Sequence, residues 1–320
     1  MNRIPALADI FDAQNVISTY LSRTPLYHSS GLSELLGCNL FIKYENYQPI
    51  CAFKVRGGIN LLSRLSSEER QKGVVTASTG NHGQSVAYAA QKFGIKATVV
   101  VPEKNNPDKV KAMERLGATI VFHGKDFDES REHAEHLSKT KSYRYVHSAN
   151  EPYLIAGVGT IGLEILEDCP NTEYIFVAVG GGSGASGISI AAKAINPNVK
   201  VIGVQSEQAP AAYHSWKAGK PLSHDRMETF AEGLATRVGF EMTVEIMKKN
   251  LDDFILVPDS DIRHAMKLYL EHAHTLAEGA GAASLAGAMS MKDKLKDRTV
   301  VVVLSGANVT IPTLQTILHQ

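Results

Sequence analysis

A lysine between apolar neighbours raises the question of what chemistry this sequence can perform. Residues 50–58 read ICAFKVRGG, and Lys54 stands between Phe53 and Val55 shortly before a glycine pair. Lysine is rarely fully buried, so its usual place is the surface, with the aliphatic stem on apolar neighbours and the ammonium in water. The alternative is a lysine held in a pocket, where its amine acts as a nucleophile or a base. These nine residues alone favour the surface position.

A run of glycines marks a candidate site for an anion. The stretch GGGSG follows the apolar run EYIFVAV and precedes a predicted helix. Glycines let the backbone approach a ligand, and the free N–H groups at a helix start attract negative charge. No Lys-Ser/Thr pair ends the stretch, so it is not a Walker loop, whereas a tight turn and a dinucleotide site remain alternatives. The phosphate-binding residues that we predict are Gly180, Gly181, Gly182, Ser183 and Gly184.

A second polar loop joins a predicted strand to a predicted helix. Residues 77–83 read ASTGNHG, in which Ser78, Thr79 and the backbone N–H groups suit a carboxylate at the helix N-terminus. Asn81 offers a side-chain amide to a polar ligand atom. His82 taken alone is more often a structural or capping histidine than a catalytic one. The loop is therefore a candidate substrate site.

The last apolar run also ends in a polar loop. Residues 300–308 read VVVVLSGAN, so that Ser305 directly follows the final predicted strand. Ligands of open α/β sheets bind at the carboxyl ends of the strands, and Ser305 is expected at such an end. Capping of a helix N-terminus is an equally good interpretation of this serine.

Short Val/Ile-rich runs alternate with helical stretches along the chain. Continuous apolar runs of this length are typical of strands that are buried on both faces. Their alternation with helices predicts an α/β fold with parallel sheets covered by helices. The predicted strands lie at 96–102, 118–124, 173–182, 199–207, 253–259 and 298–308, and the predicted helices at 81–93, 106–117, 126–140, 184–195 and 259–273.

The composition indicates an ordinary globular protein without a strongly charged partner. The 320 residues are 44% hydrophobic and 21% charged, and 33 basic side chains balance 33 acidic ones. A net charge of zero gives no support for a nucleic-acid partner. The N-terminus lacks the apolar run of a signal peptide, and no stretch approaches the length of a membrane span. Three scattered cysteines do not form a disulfide framework or a zinc site, so we expect a cytoplasmic protein.

In this order and spacing, the lysine motif, the STGNHG loop, the GGGSG turn and the final LSGAN resemble the fold-type II pyridoxal-phosphate enzymes. The closest branch is that of the serine/threonine dehydratases (threonine ammonia-lyases) and serine racemases, and the resemblance covers residues 23–310. It implies two open, twisted, mostly parallel sheets flanked by helices. It also implies a large domain of residues 1–45 and 148–320, a small inserted domain of residues 46–147, and a homodimer.

The resemblance implies pyridoxal 5'-phosphate as the cofactor and a role for each motif. Lys54 holds the cofactor covalently, and the adjacent Phe53 also belongs to the cofactor site. Asn81 contacts the ring hydroxyl, Ser305 contacts the ring nitrogen, and the glycine-rich turn binds the phosphate. The residues that the resemblance assigns to an amino-acid substrate are Ser78, Thr79, Gly80, Asn81 and His82.

The implied activity is the elimination of water from a small β-hydroxy amino acid. Lys54 is the expected base for the Cα proton, and the cofactor delocalises the resulting negative charge. A serine partner such as Ser305 does not enforce protonation of the ring nitrogen as a carboxylate would, which favours prompt loss of the β-hydroxyl. The products are a 2-oxo acid and ammonia, and the expected substrate is threonine, serine or a bulkier analogue.

Thr79 and the residues before Phe53 leave alternatives open. Serine racemases place a serine hydroxyl at the position of Thr79, so a serine- or aspartate-type racemase with elimination as a side activity is the main alternative, with Thr79 as a second catalytic group. Ile50, Cys51 and Ala52 replace the usual Thr-Gly-Ser of the family. This replacement is the one feature that favours a non-catalytic protein that binds the cofactor.

Glu207 is a candidate ligand for a divalent cation. Relatives carry a cation site with an acidic pair after the strand that corresponds to VIGVQSE, and Glu207 matches the first acid. The second acid is replaced near Tyr213, so the cation is not a firm prediction. Glu207 could instead bind a ribose in a nicotinamide-dependent oxidoreductase built on the GGGSG turn. That more distant alternative does not explain Lys54 or Ser305.

Overall fold

The computed structural model describes residues 3–225 and 227–319, and within them ten strands alternate with fourteen α-helices. The strands are β1 Leu26–His28, β2 Asn39–Tyr44, β3 Val74–Ala77, β4 Ala97–Val101, β5 Thr119–Phe122, β6 Arg144–Tyr145, β7 Tyr174–Ala178, β8 Lys200–Ser206, β9 Asp253–Val257 and β10 Thr299–Leu304. The helices are α1 Leu7–Ile17, α2 Ser30–Leu36, α3 Lys54–Ser63, α4 Ser67–Lys72, α5 Asn81–Phe93, α6 Pro107–Arg115, α7 Phe127–Lys141, α8 Pro152–Asp168, α9 Ser183–Ile195, α10 Ala211–Ala218, α11 Glu241–Asn250, α12 Asp259–Ala273, α13 Gly279–Ser290 and α14 Ile311–His319.

In the described part of the chain the strands form two separate sheets. The larger sheet has six strands in the order β1-β2-β10-β7-β8-β9, in which β1 runs antiparallel to β2 and the other neighbours are parallel. The smaller sheet has four parallel strands in the order β5-β4-β3-β6. The prediction of two mostly parallel sheets is therefore confirmed.

Helices cover both faces of the larger sheet. In β10, Val300 and Val302 pack in the cluster that includes α13, whereas Val301 and Val303 pack with α8 and α9 on the opposite face. All four valines are buried. Because neither face meets water, the strand is apolar at every position instead of alternating with polar residues.

The smaller sheet is covered in the same way. Val74 and Val99 pack with α3 and α5, and Val75 and Val100 pack on the other face, towards α7. All four strands of this sheet lie between Val74 and Tyr145, inside the predicted small domain. The bounds of that domain, residues 46–147, stay a prediction.

The strands predicted from apolar runs are all present, but the sequence did not indicate β2 or α3. β2 contains Lys43, a fully buried charge that interrupts the apolar pattern. α3 contains Gly57 and Gly58, and each glycine lowers helix propensity by about 1 kcal/mol relative to alanine. None of the helices in residues 3–225 and 227–319 combines the length and apolar character that a membrane crossing requires.

Candidate active site

A cavity of about 690 Å³ lies where loops from the two sheets meet. The loops that follow β3, β7 and β10 border it, and so does the start of α3. The carboxyl ends of strands from both sheets therefore open into one cleft, as expected for a ligand site in an α/β protein. The cavity is lined by each cofactor and substrate residue predicted above: Phe53, Lys54, Ser78, Thr79, Gly80, Asn81, His82, Gly180, Gly181, Gly182, Ser183, Gly184 and Ser305.

Lys54 begins α3 and lies in the cavity wall. Its Nζ donates a hydrogen bond to Ser183 Oγ at 2.9 Å and another to the carbonyl oxygen of Ser148 at 3.1 Å. Burial lowers the pKa of Lys54 from 10.5 to about 8, because the charged form loses hydration. A large fraction of this amine is therefore neutral slightly above neutral pH, and a neutral amine is a nucleophile and a base.

The glycine-rich turn between β7 and α9 leaves no room for side chains. Gly182 has a φ angle of +92°, in the left-handed region that favours glycine. A Cβ atom on Gly180 would lie only 2.2 Å from the carbonyl oxygen of Gly233. The first N–H groups of α9, which begins at Ser183, have no partners within the helix and suit an anion. The turn therefore fits a phosphate group.

Asn81 is held by hydrogen bonds at both ends of its side-chain amide. Its Nδ2 donates to Glu278 Oε1 at 2.6 Å, and its Oδ1 accepts from Asn308 Nδ2 at 2.7 Å. Burial raises the pKa of the Glu278 carboxyl, while the charge of Lys109 and the Asn81 bond act in the opposite direction. These contacts fix which face of the Asn81 amide is presented to a ligand in the cavity.

The lysine motif and the final loop of the chain pair through their backbones. The N–H of Phe53 donates to the carbonyl oxygen of Ser305 at 3.0 Å, and the N–H of Ala307 donates to that of Cys51 at 2.9 Å. Ala52 and Gly306 form an isolated β-bridge between these two bonds. Lys54 and Ser305 are therefore placed by one rigid unit, although they are far apart in the sequence.

Ser305 lies in the cavity and does not cap a helix. The next helix, α14, begins at Ile311, beyond the reach of Ser305 as an N-cap. The hydroxyl of Ser305 donates to the carbonyl oxygen of Ala280 at 3.4 Å. The alternative that the sequence left open, a capping serine, is wrong for this residue.

The replacement of the usual glycine by Cys51 has a structural consequence. Cys51 has a φ angle of +53°, in the left-handed region that costs other residues about 1 kcal/mol. Its neighbours Ile50 and Ala52 are buried. The departure from the family pattern thus places a cysteine in a backbone conformation that glycine adopts more readily, three residues before Lys54.

The loop of residues 77–83, predicted to bind the substrate, is preorganised by contacts of its own. Ser78 Oγ accepts a hydrogen bond from the N–H of Gly80 at 3.1 Å. The carbonyl oxygen of Thr79 accepts from Asn105 Nδ2 at 3.3 Å. These bonds hold the loop at the N-terminus of α5, where the positive end of the helix dipole favours a carboxylate.

His82 is a neutral, buried residue beneath this loop. Its Nε2 is 2.9 Å from Thr76 Oγ1, which donates its own proton to the carbonyl oxygen of Val146, so Nε2 carries the proton. Burial, with the nearby charge of Lys54, lowers the pKa of His82 to about 3. Neutral His82 cannot supply a positive charge to a substrate carboxylate.

The structure adds Lys109 and Glu278 to the cavity wall and leaves Glu207 outside it. Lys109 and Glu278 line the cavity, although nothing in the sequence pointed to Lys109 beyond its place in a predicted helix. Glu207 is exposed in the turn after β8. In the residues described, no group of three or more His, Cys, Asp and Glu side chains is arranged to hold a metal ion.

Comparison with known proteins gives consistent matches over nearly the whole chain. The family described as pyridoxal-phosphate dependent enzyme matches residues 17–306. An L-threonine ammonia-lyase of Thermotoga maritima is 41% identical over 314 residues, which span 98% of this chain and 78% of that protein. The processed form of threonine deaminase isoform 2 from Solanum lycopersicum has a TM-score of 0.92 and 33% identity, covering 99% of this chain and 95% of that one.

A racemase is equally similar in structure. Maize serine racemase has a TM-score of 0.92 and 32% identity, covering 99% of this chain and 98% of that one. The resemblance inferred from the sequence motifs is confirmed by the family match and by these relatives. The chain belongs to the pyridoxal-phosphate dependent enzymes.

Proposed function

We propose that this protein is an ammonia-lyase that acts on a small β-hydroxy amino acid of the threonine or serine type. The reaction removes the Cα proton and the β-hydroxyl as water, and hydrolysis of the resulting enamine then gives a 2-oxo acid and ammonia. The observation that carries the proposal is the amine of Lys54, 2.9 Å from Ser183 Oγ in the glycine-rich turn. The 41% identical relative named L-threonine ammonia-lyase supports it.

The residues of the cavity fit pyridoxal phosphate. The turn at residues 180–184 suits its phosphate, Lys54 its aldehyde, and Asn81 and Ser305 its ring. When bound, this cofactor withdraws electrons from the Cα atom of an amino acid. The part that remains for the protein is to hold the substrate carboxylate at residues 78–82 and to take the Cα proton with Lys54.

Lys54 is suited to proton transfer because its pKa lies close to the working range of an enzyme. General bases are most effective when their pKa lies near the operating pH. Burial brings the pKa of Lys54 down to about 8, while its bonds to Ser183 and Ser148 fix the position of the amine. Ser183 therefore has two roles: it is part of the turn that suits the phosphate, and its hydroxyl orients the amine of Lys54.

We expect capture of pyridoxal phosphate by the cofactor-free protein to accelerate with rising pH and to level off above about pH 8. The neutral amine is the reactive form, and its population rises through a pKa of about 8 instead of the unperturbed 10.5. The rate at which the visible absorption band grows, measured from neutral to alkaline pH, checks this expectation. Nα-acetyl-lysine in solution serves as the control, and its rate of reaction with pyridoxal phosphate is expected to keep rising towards its higher pKa. If the rate for the protein levels off only at the same high pH as the rate for Nα-acetyl-lysine, the prediction is contradicted.

Racemisation is the second candidate activity, and Thr79 is the observation that favours it. A racemase needs an acid or base on the face of the substrate opposite Lys54, and Thr79 contributes a hydroxyl to the same cavity. The β-methyl group of threonine restricts the rotamers of that hydroxyl, which disfavours the role. The nicotinamide alternative has no comparable support, because it leaves the position of Lys54 unexplained.

The test of the proposed function is the absorption spectrum of the purified protein, recorded before and after addition of amino acids. L-Threonine, L-serine and bulkier β-hydroxy amino acids are added in turn, and 2-oxo acid is assayed in the same samples. A yellow band that shifts with one of them while 2-oxo acid accumulates is the expected result. Appearance of the D-isomer without 2-oxo acid supports the racemase, and a protein that stays colourless with added pyridoxal phosphate overturns both.

We also propose a homodimer, in agreement with the resemblance. A strip of aromatic rings on the surface supports it: Tyr27 and Tyr47 are 60% and 57% exposed and both contact the ring of Tyr44. Large exposed apolar side chains that adjoin one another are typical of interaction surfaces. Light scattering of the purified protein checks the proposal, and a monomer contradicts it. The divalent cation near Glu207 and the cytoplasmic location stay predictions.

A further inference from the structure

Lys109 brings a positive charge to the wall of the cavity. It lies on α6, and its side chain is only 12% exposed. Lys104 and Lys125 also border the cavity, but both are exposed to solvent. A shielded ammonium binds an anion more strongly than an exposed one, because water competes less for it. Lys109 is therefore the lysine outside α3 that is best placed to bind a ligand group.

The side chain of Lys109 runs along the loop predicted to hold the substrate carboxylate. A Cβ atom added to Gly80 would lie 3.4 Å from Lys109 Cδ and 3.8 Å from its Nζ. Gly80 immediately precedes α5, a helix of thirteen residues. The ammonium and the positive end of this helix dipole thus converge on the same place. Burial raises the pKa of Glu278, and the positive charge of Lys109 lowers it. The field of the Lys109 ammonium therefore reaches a carboxylate on the cavity wall.

Glu232 supplies the partner of this ammonium across the cavity mouth. Glu232 Oε2 is 2.5 Å from Lys109 Nζ, and its side chain is 54% exposed. It begins a short helical turn, Glu232–Leu234, which packs on α13 beside the larger sheet, whereas α6 belongs with the smaller sheet. An ion pair with one exposed partner contributes at most about 1 kcal/mol. A carboxylate that enters the cavity can therefore replace Glu232 at little cost.

We propose that Lys109 is a substrate-binding residue whose ammonium holds the carboxylate of the amino acid beside Gly80, and that Glu232 is the counter-ion it releases. This proposal rests on the proposed function. It makes Lys109 a determinant of specificity, because it separates amino acids from amines that lack a carboxylate. It assigns Lys109 no part in proton transfer, which is left to Lys54.

The proposal is tested with two ligands that differ by the carboxylate. L-Alanine and ethylamine both carry an amino group, neither has a leaving group at Cβ, and only alanine has a carboxylate. Each is titrated into the cofactor-loaded protein while the visible absorption band is followed. We expect Lys109→Gln to weaken alanine binding by about 10- to 100-fold, as for loss of a charge-assisted hydrogen bond, and to leave ethylamine binding unchanged. The matched control is Lys111→Gln, because Lys111 is exposed on the same helix.

Glu232→Gln separates substrate binding from a purely structural ion pair. If Glu232 only neutralises Lys109, its removal leaves alanine binding unchanged or a few-fold tighter. If the pair instead holds the two sides of the cavity together, Glu232→Gln weakens alanine binding as Lys109→Gln does, and the proposal is overturned. Lys109→Arg, which keeps the charge, is expected to retain most of the affinity for alanine, and a loss of alanine binding in this folded variant as large as that expected for Lys109→Gln overturns the assignment to charge.

The remaining outcomes distinguish this proposal from the proposed function. Equal weakening of alanine and ethylamine in Lys109→Gln, or no change in either, overturns the role of Lys109 alone. A wild-type protein whose absorption does not respond to alanine overturns both proposals. Elimination assays on the same variants give a further check: the KM for the substrate is expected to rise in Lys109→Gln far more than kcat falls.

Discussion

Replacement of Lys54 by alanine is expected to leave a folded protein with at least about 10³-fold less turnover, because the variant loses both a nucleophile and a base. The amine of Lys54 lies in the cavity, within hydrogen-bond distance of Ser183 and Ser148. Those two partners can bond to water in the variant, so the fold has little reason to change. The visible band that arises from the bound cofactor is expected to disappear or to shift.

The measurement combines 2-oxo acid release, the visible spectrum and the urea midpoint of unfolding for the same preparation. Lys111→Ala is the matched control, since it removes an exposed lysine on α6 and is expected to change none of the three. Normal turnover in Lys54→Ala contradicts the assignment. Loss of turnover together with a large fall in the urea midpoint indicates instead that Lys54 stabilises the fold.

The strands and loops that border the cavity could be predicted from the sequence because their signals are local. The valines of β10 are apolar at every position since both faces of the strand are buried, and that is visible without a structure. The turn at residues 180–184 needs glycine for reasons confined to the turn, such as the positive φ of Gly182. The order of the four motifs along the chain then predicted that the loops that contain them form one site.

Features that depend on contacts between distant segments could not be predicted. Helix α3 contains Gly58, which local propensity disfavours, but a Cβ atom there would lie 2.4 Å from Ser85 Oγ of α5. The backbone bond between Phe53 and Ser305 joins the two ends of the motif set. Lys109 and Glu232, 123 residues apart in the sequence, meet in the wall of the one cavity that both sheets border. None of these pairings leaves a periodic or spacing signal.

A buried group of four charges underlies the helix that carries Lys54. Glu164 accepts from Lys43 Nζ at 2.5 Å and from the Arg56 guanidinium at 2.6 and 2.8 Å. Glu45 accepts from Arg56 in two bonds of 2.8 Å. All four side chains are buried, and two positive charges balance two negative ones. Arg56 lies in the first turn of α3, so the group anchors the start of that helix.

Replacement of Glu164 by glutamine is expected to lower the free energy of unfolding by about 3–5 kcal/mol, the cost of leaving a buried charge without its partner. Lys43 then loses its ion-pair partner, and Arg56 keeps the carboxylate of Glu45. Chemical unfolding in urea measures the effect. The control is Glu167→Gln on the same helix, α8, because Glu167 pairs with Arg23 at 2.5 Å in an ion pair whose side chains are 45% and 42% exposed. Loss of this exposed ion pair in Glu167→Gln is expected to lower the free energy of unfolding by less than about 1 kcal/mol.

The pH dependence of stability gives an independent check on this carboxylate. Burial would raise the pKa of Glu164, but the charges of Arg56 and Lys43 outweigh it and hold the pKa below the unfolded value of 4.5. A group with a lowered folded pKa stabilises the protein above its unfolded pKa and loses that contribution as the pH falls through the folded pKa. The difference in stability between wild type and Glu164→Gln is therefore expected to shrink as the pH falls below 4.5.

The double variant Lys43→Met/Glu164→Gln distinguishes charge balance from packing. It leaves Arg56 paired with Glu45, so the buried group is neutral again and we expect part of the lost stability to return. If the double variant is as unstable as the sum of the two single variants, the cost comes from packing and not from charge. If Glu164→Gln has the same urea midpoint of unfolding as the wild-type protein, the four charges do not stabilise the fold. The anchoring of Lys54 through Arg56 must then come from the apolar contacts of α3, such as those of Ile59 and Leu62.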